Sequence, residues 1–265
     1  MSRNPCLFCT SPNPRSVEHI FPESLGNDDI VLTEDVCNSC NNYFSKIESY
    51  VLQKTELAFW RTLLGIRSKR GNLPSVDLSQ PDRPKGSFPN RHPEHTDGVG
   101  FTAHADGSCS VGVSDDQVIG EIIAGERNHF HFVMTPKLLH QFGRFLCKIG
   151  VELICSLDPS RARAKPLEGA RNYARYGSTG QLWPIFNFTN GSIRELRRMR
   201  LDGIEEVDCF DYSLLEVGQY TLFRLKVGTS NWVICLDDQW PTPEIRKGFP
   251  EAELQLIWYP SGTFR

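Results

Sequence analysis

The sequence predicts an α+β fold: an N-terminal ββα module stapled by cysteines, then an α+β domain with antiparallel strands and one long amphipathic helix. Three observations predict it. Two cysteine pairs of identical spacing, Cys6-x-x-Cys9 and Cys37-x-x-Cys40, bracket short β-prone runs. A helical apolar period links Leu139, Phe142, Phe145, Leu146, Ile149 and Leu153. Short runs rich in β-branched and aromatic residues, at 220–227, 231–236 and 254–259, read as a group of antiparallel strands.

Taken in order, residues 5–9 form a tight cysteine turn. An extended piece ends near Glu18-His19-Ile20, broken by Pro22 and Gly26, and Ile30-Val31-Leu32-Thr33 is a second β-prone run. After Cys40, helical spacing of Phe44, Ile47, Val51 and Leu52 predicts a helix that begins around Ser39–Asn41 and runs past Leu57. Five prolines between Pro74 and Pro93, several glycines and no apolar period mark residues 67–98 as a linker. The predicted division is therefore 1–66, 67–98 and 99–265. In the last part, strands are predicted near 99–105, 109–113 and 129–133, and the long helix from Pro136 to about Ser156.

Composition narrows the class. Apolar residues make up 39% of the 265 and charged residues 23%, as in ordinary globular domains. No run approaches the roughly 18 apolar residues of a membrane span, and the start, Met1-Ser2-Arg3-Asn4-Pro5-Cys6, lacks the apolar stretch of a secretory signal. A cytoplasmic protein with no membrane partner is expected. Net charge is −3, from 29 basic and 32 acidic residues, so whole-chain charge does not mark a nucleic-acid partner.

Nine cysteines are present. Cys109, Cys147, Cys155, Cys209 and Cys235 stand among apolar neighbours and read as buried thiols. The other four form the two pairs, with 27 residues between them. Each C-x-x-C turn offers two thiolates on one side of the backbone, and two facing turns complete a tetrahedron for Zn²⁺. Four sulfurs leave no open position, so this zinc is structural. A redox C-x-x-C is expected once, beside a βαβ pattern, and that pattern is absent.

Between the pairs lies Ser16-Val17-Glu18-His19-Ile20-Phe21-Pro22, and Asn41 directly follows the last cysteine. The pattern C-x2-C, E-H-I-x-P, C-x2-C-N-N resembles the HNH nucleases of the ββα-metal (His-Me finger) class. The nearest subgroup has four zinc cysteines and EHIFPESLG in place of D-H-I-x-P. The resemblance covers about residues 5–50. The stretches Phe142–Leu153 and Arg171–Gly177 are more weakly similar to the C-terminal parts of stand-alone members.

The resemblance implies a metal-dependent endonuclease that hydrolyses DNA phosphodiester bonds, leaving a 5′-phosphate and a 3′-hydroxyl, with a role in prokaryotic defence. It assigns His19 as the base that activates water, and Glu18 and Asn41 as ligands of a catalytic Mg²⁺ or Mn²⁺. Elementary chemistry agrees with those types: imidazole titrates near neutrality, and hard oxygen ligands suit Mg²⁺. Adjacent strand residues point to opposite faces, so Glu18 and His19 share one site only if the strand ends or twists there. His19 also has a structural alternative, and Asn41 could cap the helix instead, with Asn38 and Asn42 as competing ligands. The family's middle asparagine falls nine residues before the final ligand, at Leu32 here, and the nearest asparagine upstream is Asn27. The alternative reading is a non-catalytic zinc-dependent nucleic-acid-binding protein with a degenerate HNH module.

Residues 1–66 carry five basic and eight acidic side chains and would repel a polyanion. Residues 161–200 carry nine basic against two acidic, and 201–217 six acidic and no basic. This segregation nominates Arg171, Arg175, Arg194, Arg197 and Arg198 for phosphate contacts, with a solvated face paired to the acidic stretch as the alternative.

Overall fold

In a computed structural model, the described residues are 4–9, 11–12, 16–27, 29–68, 70–72, 75–77, 99–104, 109–113, 116–124, 126, 135–178, 183–190, 210–237 and 242–257. The chain mixes helices with antiparallel sheets, the expected α+β class.

Strands β1 (Glu18–His19) and β2 (Val31–Leu32) form a two-residue antiparallel ladder that pairs Glu18 with Leu32 and His19 with Val31. Helix α1 (Asn38–Lys54) starts directly after Cys37 and buries Cys40, Phe44, Ile47, Val51 and Leu52. It stops earlier than its periodicity predicts. The Thr55 hydroxyl donates to the Val51 carbonyl at 2.8 Å and accepts from the Leu57 amide, so it ends α1 and caps α2 (Glu56–Leu63).

Strands β3 (Ser75–Asp77), β4 (Val99–Ala103) and β5 (Cys109–Val113) form a three-stranded antiparallel sheet, followed by helix α3 (Asp116–Ala124). Helix α4 (Pro136–Leu157) matches its prediction. The Thr135 hydroxyl caps its first turn by accepting from the Leu138 amide, and Pro136 sits where no amide is needed. Asp158 ends α4 and caps α5 (Pro159–Arg163), and helix α6 (Glu168–Tyr176) follows.

The C-terminal strands β6 (Trp183–Thr189), β7 (Phe210–Val217), β8 (Tyr220–Val227), β9 (Ser230–Cys235) and β10 (Glu253–Ile257) form one antiparallel sheet in the order β10-β6-β9-β8-β7. Helix α7 (Thr242–Gly248) connects the last two in sequence. Pro184 is tolerated in β6 because the pairing of β6 with β9 begins only at Ile185. Gly150 lets α4 lie close on this sheet: a Cβ there would stand 2.8 Å from Leu236 and 3.0 Å from Phe223.

One buried cluster joins the cysteine-bearing N-terminal part to the C-terminal sheet. It runs from Cys6, Phe8, Ile20, Phe21 and Phe44 through Phe142, Phe145 and Ile149 to Leu225, Trp232 and Ile234. Phe21 packs on Phe210 and Tyr212 of β7, with ring centroids 4.9 and 4.5 Å apart. The predicted boundary at residue 66 therefore does not separate two cores among the described residues. Cys147, Cys155 and Cys235 are buried, as expected. Among the described residues, no helix is long and apolar enough to cross a membrane.

Candidate functional site

The four cysteines are brought together from two loops and the start of α1. One sulfur from each of Cys6, Cys9, Cys37 and Cys40 lies within 4.8 Å of the others, and Cys9 Sγ is 3.6 Å from Cys37 Sγ. Four sulfurs about 2.3 Å from a single ion stand about 3.8 Å apart, so the quartet has the size of a zinc tetrahedron. Backbone geometry supports it, since the Cys37 amide points at Cys6 Sγ, 3.4 Å away. Hydrogen bonding from the Cys40 thiol, against the cost of burial, lowers Cys6 to about 4, while the hydrogen bond to Cys6 and burial push Cys40 far above the thiol range. Burial also raises Cys9. Crowded thiols that cannot all ionise unaided are what a divalent cation stabilises.

The loop carrying Cys37 is clasped from the C-terminal part. Arg163 of α5 pairs with Asp35 at 2.6 Å, and the Leu7 amide bonds the Asp35 carbonyl at 2.8 Å.

His19 ends β1 with its side chain 31% exposed, and its Nε2 lies 3.5 Å from Glu23 Oε1. Glu23 belongs to a short 3₁₀ turn after Pro22. The strand does end at this point, as a shared site requires, yet its two side chains part: His19 faces outward and Glu18 is buried. Glu18 Oε1 lies 2.8 Å from Lys148 Nζ, whereas Glu18 Oε2 finds no hydrogen-bond partner among the described residues. Burial raises the Glu18 pKa, and Lys148 only partly opposes that shift.

Asn41, in the first turn of α1, donates from Nδ2 to the Val17 carbonyl at 3.0 Å, which ties α1 to the start of β1. Asn27 is buried and holds the loop between β1 and β2. Its Nδ2 donates to the Phe21 carbonyl at 2.9 Å, and its Oδ1 accepts from the Ile30 amide at 3.2 Å. Leu32, at the family's middle-asparagine position, is buried in the apolar cluster.

Sequence reasoning missed a polar stripe on α4. His140, Arg144, Lys148 and Glu152 recur every fourth residue, share one helical face and are all buried. Arg144 donates to the Tyr43 hydroxyl and to the Ala174 and Arg175 carbonyls. Lys148 meets Glu18, Glu48 and Glu152 together. Burial works to lower the Lys148 pKa, but the three carboxylates outweigh it and hold the ammonium well above its ordinary value. The available signal was H-x3-R-x3-K-x3-E inside an otherwise apolar helix: buried charges at one helical spacing need partners on a facing element.

The predicted phosphate contacts divide. Arg171 Nη1 donates to the Ala162 and Ala164 carbonyls at 2.6 and 3.0 Å, and Arg175 stacks over the Tyr43 and Tyr176 rings at 4.2 and 5.4 Å. Both guanidiniums thus hold α6 within the fold, and Arg161 pairs with Glu216 of the acidic stretch at 2.5 Å. Arg194, Arg197 and Arg198 lie outside the described residues, as do the strand predicted near 129–133 and most of the linker.

Compared with known families, residues 6–55 match the family model described as HNH endonuclease. No curated protein and no solved structure matches the chain.

Proposed function

We propose that this chain, whose residues 6–55 carry the HNH endonuclease match, is a metal-dependent endonuclease acting on DNA. The observation that carries the reading is the placement of His19: an accessible imidazole at the end of β1, beside a carboxylate, in a segment anchored by four converging cysteines. A Glu and an Asn side chain suit a hard divalent cation, and Glu18 Oε2, which has no hydrogen-bond partner among the described residues, is an oxygen that a cation would satisfy. By the family resemblance Glu18 and Asn41 would hold Mg²⁺ or Mn²⁺, which would neutralise charge on the phosphate and the leaving oxygen, and Glu18 would have to turn from Lys148 toward the side of His19 to do so.

The chain's own residues supply the rest. His19 accepts a proton from the attacking water, and the Glu23 carboxylate stabilises the imidazolium that forms. Water oxygen bonds to phosphorus as the bond to the 3′ oxygen breaks, leaving a 5′-phosphate and, after protonation, a 3′-hydroxyl. Cys6, Cys9, Cys37 and Cys40 hold the structural zinc that sets the approach of the two loops. Arg194, Arg197 and Arg198 are proposed to contact phosphates, and Arg171 and Arg175, which have internal partners, are proposed to hold α6 instead. Cytoplasmic location and action against phage or foreign DNA belong to the same proposal and rest on the family resemblance.

The test is cleavage of duplex and single-stranded DNA and of RNA, with Mg²⁺, Mn²⁺ or no added metal. Wild type cuts DNA, and His19→Ala loses on the order of 10²–10⁴ in rate while keeping zinc and DNA affinity. Glu18→Ala and Asn41→Ala instead raise the Mg²⁺ concentration needed. Retardation of DNA without cutting under every condition supports the degenerate-module reading, which Leu32 at the middle-asparagine position favours. Wild-type cutting by His19→Ala refutes the base assignment.

A further inference from the structure

We propose that Lys148, well beyond the HNH match at residues 6–55, is the positioning residue for His19. Its ammonium lies 2.8 Å from the His19 carbonyl and 3.2 Å from the Ile20 carbonyl, and 2.8 Å from the Glu18 carboxylate. One cation therefore grips three consecutive residues around the base. Glu48 of α1 at 2.8 Å and Glu152 of α4 at 3.0 Å hold that cation in turn.

The grip is needed here. The β1–β2 ladder is only two residues long, too short to fix a loop by itself, and the side chain at position 32 is apolar. Asn27 secures the next carbonyl, that of Phe21, so the backbone from 18 to 21 is held by Lys148 on one flank and Asn27 on the other. Helix α4 is a rigid support for this, being 22 residues long and buried along most of its length. Holding a catalytic group within a fraction of an ångström is worth large factors in rate, because a misplacement of about 1 Å costs about 10²-fold.

The kinetic arm of this inference rests on the nuclease reading, and a second arm does not. Two full-length variants isolate the ammonium. Glu48→Gln/Glu152→Gln keeps Lys148 and removes two of its carboxylates, and the same pair with Lys148→Met removes the ammonium too. The double variant, which loses two of the three carboxylates that hold the ammonium, is expected to cut measurably but more slowly than wild type, and it sets the baseline. The triple variant is expected to lose about 100-fold in single-turnover rate at saturating DNA, with DNA affinity and zinc content unchanged. A second triple variant, with Lys148→Gln in place of Lys148→Met, restores a neutral donor and recovers about tenfold. Amide hydrogen exchange at residues 19–21 speeds up in the Lys148→Met triple variant relative to the double one and slows again with Lys148→Gln.

A Lys148→Met triple variant that cuts as fast as the double one, or unchanged exchange at 19–21, overturns the proposal. Loss of zinc or of the fold in that variant, with no recovery by Lys148→Gln, also overturns it, because Lys148 then serves stability alone. If wild type and the double variant both fail to cut, the nuclease reading falls, and the exchange comparison still decides whether Lys148 holds the loop.

Discussion

Replacing Cys37 with serine tests the zinc assignment and the shared core at once. Cys37 is fully buried, its sulfur 3.6 Å from Cys9, and its backbone precedes the first turn of α1. A serine hydroxyl stays protonated at neutral pH and is a poor zinc ligand, so the tetrahedron loses a corner. Structural zinc sites contribute about 10–16 kcal/mol in small zinc peptides. Whole domains have net stabilities of about 5–15 kcal/mol, so losing the ion removes most or all of the margin. The cost does not stay at the N-terminus, because Cys6, Cys37 and Cys40 belong to the same buried cluster as Phe142 and Trp232. Purified Cys37→Ser is expected to hold well under one zinc per chain by atomic absorption. In denaturant titrations followed by the buried Trp60, Trp183 and Trp232, its midpoint falls, and a chelator shifts wild type but barely shifts the variant. Undiminished zinc in Cys37→Ser, or a chelated wild type that loses its zinc with no change in midpoint, refutes the reasoning.

Three further outcomes are expected. Gly228 has φ +60°, and a Cβ there would fall 2.1 Å from the buried Trp60 ring, so Gly228→Ala expels that ring and destabilises by roughly 3–5 kcal/mol. Gly218→Ala, at φ +64° but facing open space, costs only about 1–2 kcal/mol; equal denaturation midpoints for the two variants contradict the packing account. Burial, reinforced by Arg144, lowers His140 to about 3, so the folded chain keeps it neutral while the unfolded chain protonates it below about 6.5. The stability this supplies is fully present above pH 6.5 and is lost as pH falls towards 3, by up to about 1.4 kcal/mol per pH unit; stability curves of His140→Gln should be flatter in that window. Neutralising Arg194, Arg197 and Arg198 together is expected to weaken DNA binding and reduce the salt dependence by up to about 0.9 log–log units per lost duplex contact. An unchanged slope in salt-titrated binding moves the DNA path elsewhere.

Features that short-range chemistry dictates were legible in the sequence. The repeated C-x-x-C spacing fixes which thiols face each other, and E-H-I-x-P marks His19 at a strand end. The apolar period and Thr135-Pro136 place the start of α4. Thr55 was legible in principle, as a capping residue inside a continuous apolar period, but periodicity alone ran the helix through it. Strand β7 carries no clear apolar alternation, because it is an edge strand that is only partly buried and whose inner residues cover Phe21.

Residue type and short-range spacing were enough for the four-cysteine cluster, for His19 at a strand end and for the α+β class, since each depends on spacings within one turn, one strand or one helical face. Tertiary structure alone decided the partners of the charges. Arg171 and Arg175 are as basic in composition as any phosphate-binding arginine, yet carbonyls and aromatic rings claim them. Lys148 reaches the His19 carbonyl across 129 positions of sequence, and no local pattern encodes which of many acids and carbonyls a buried ammonium will meet. That choice is made when α4 docks on α1 and β1, because desolvating the ammonium is tolerable only where the fold supplies its acceptors.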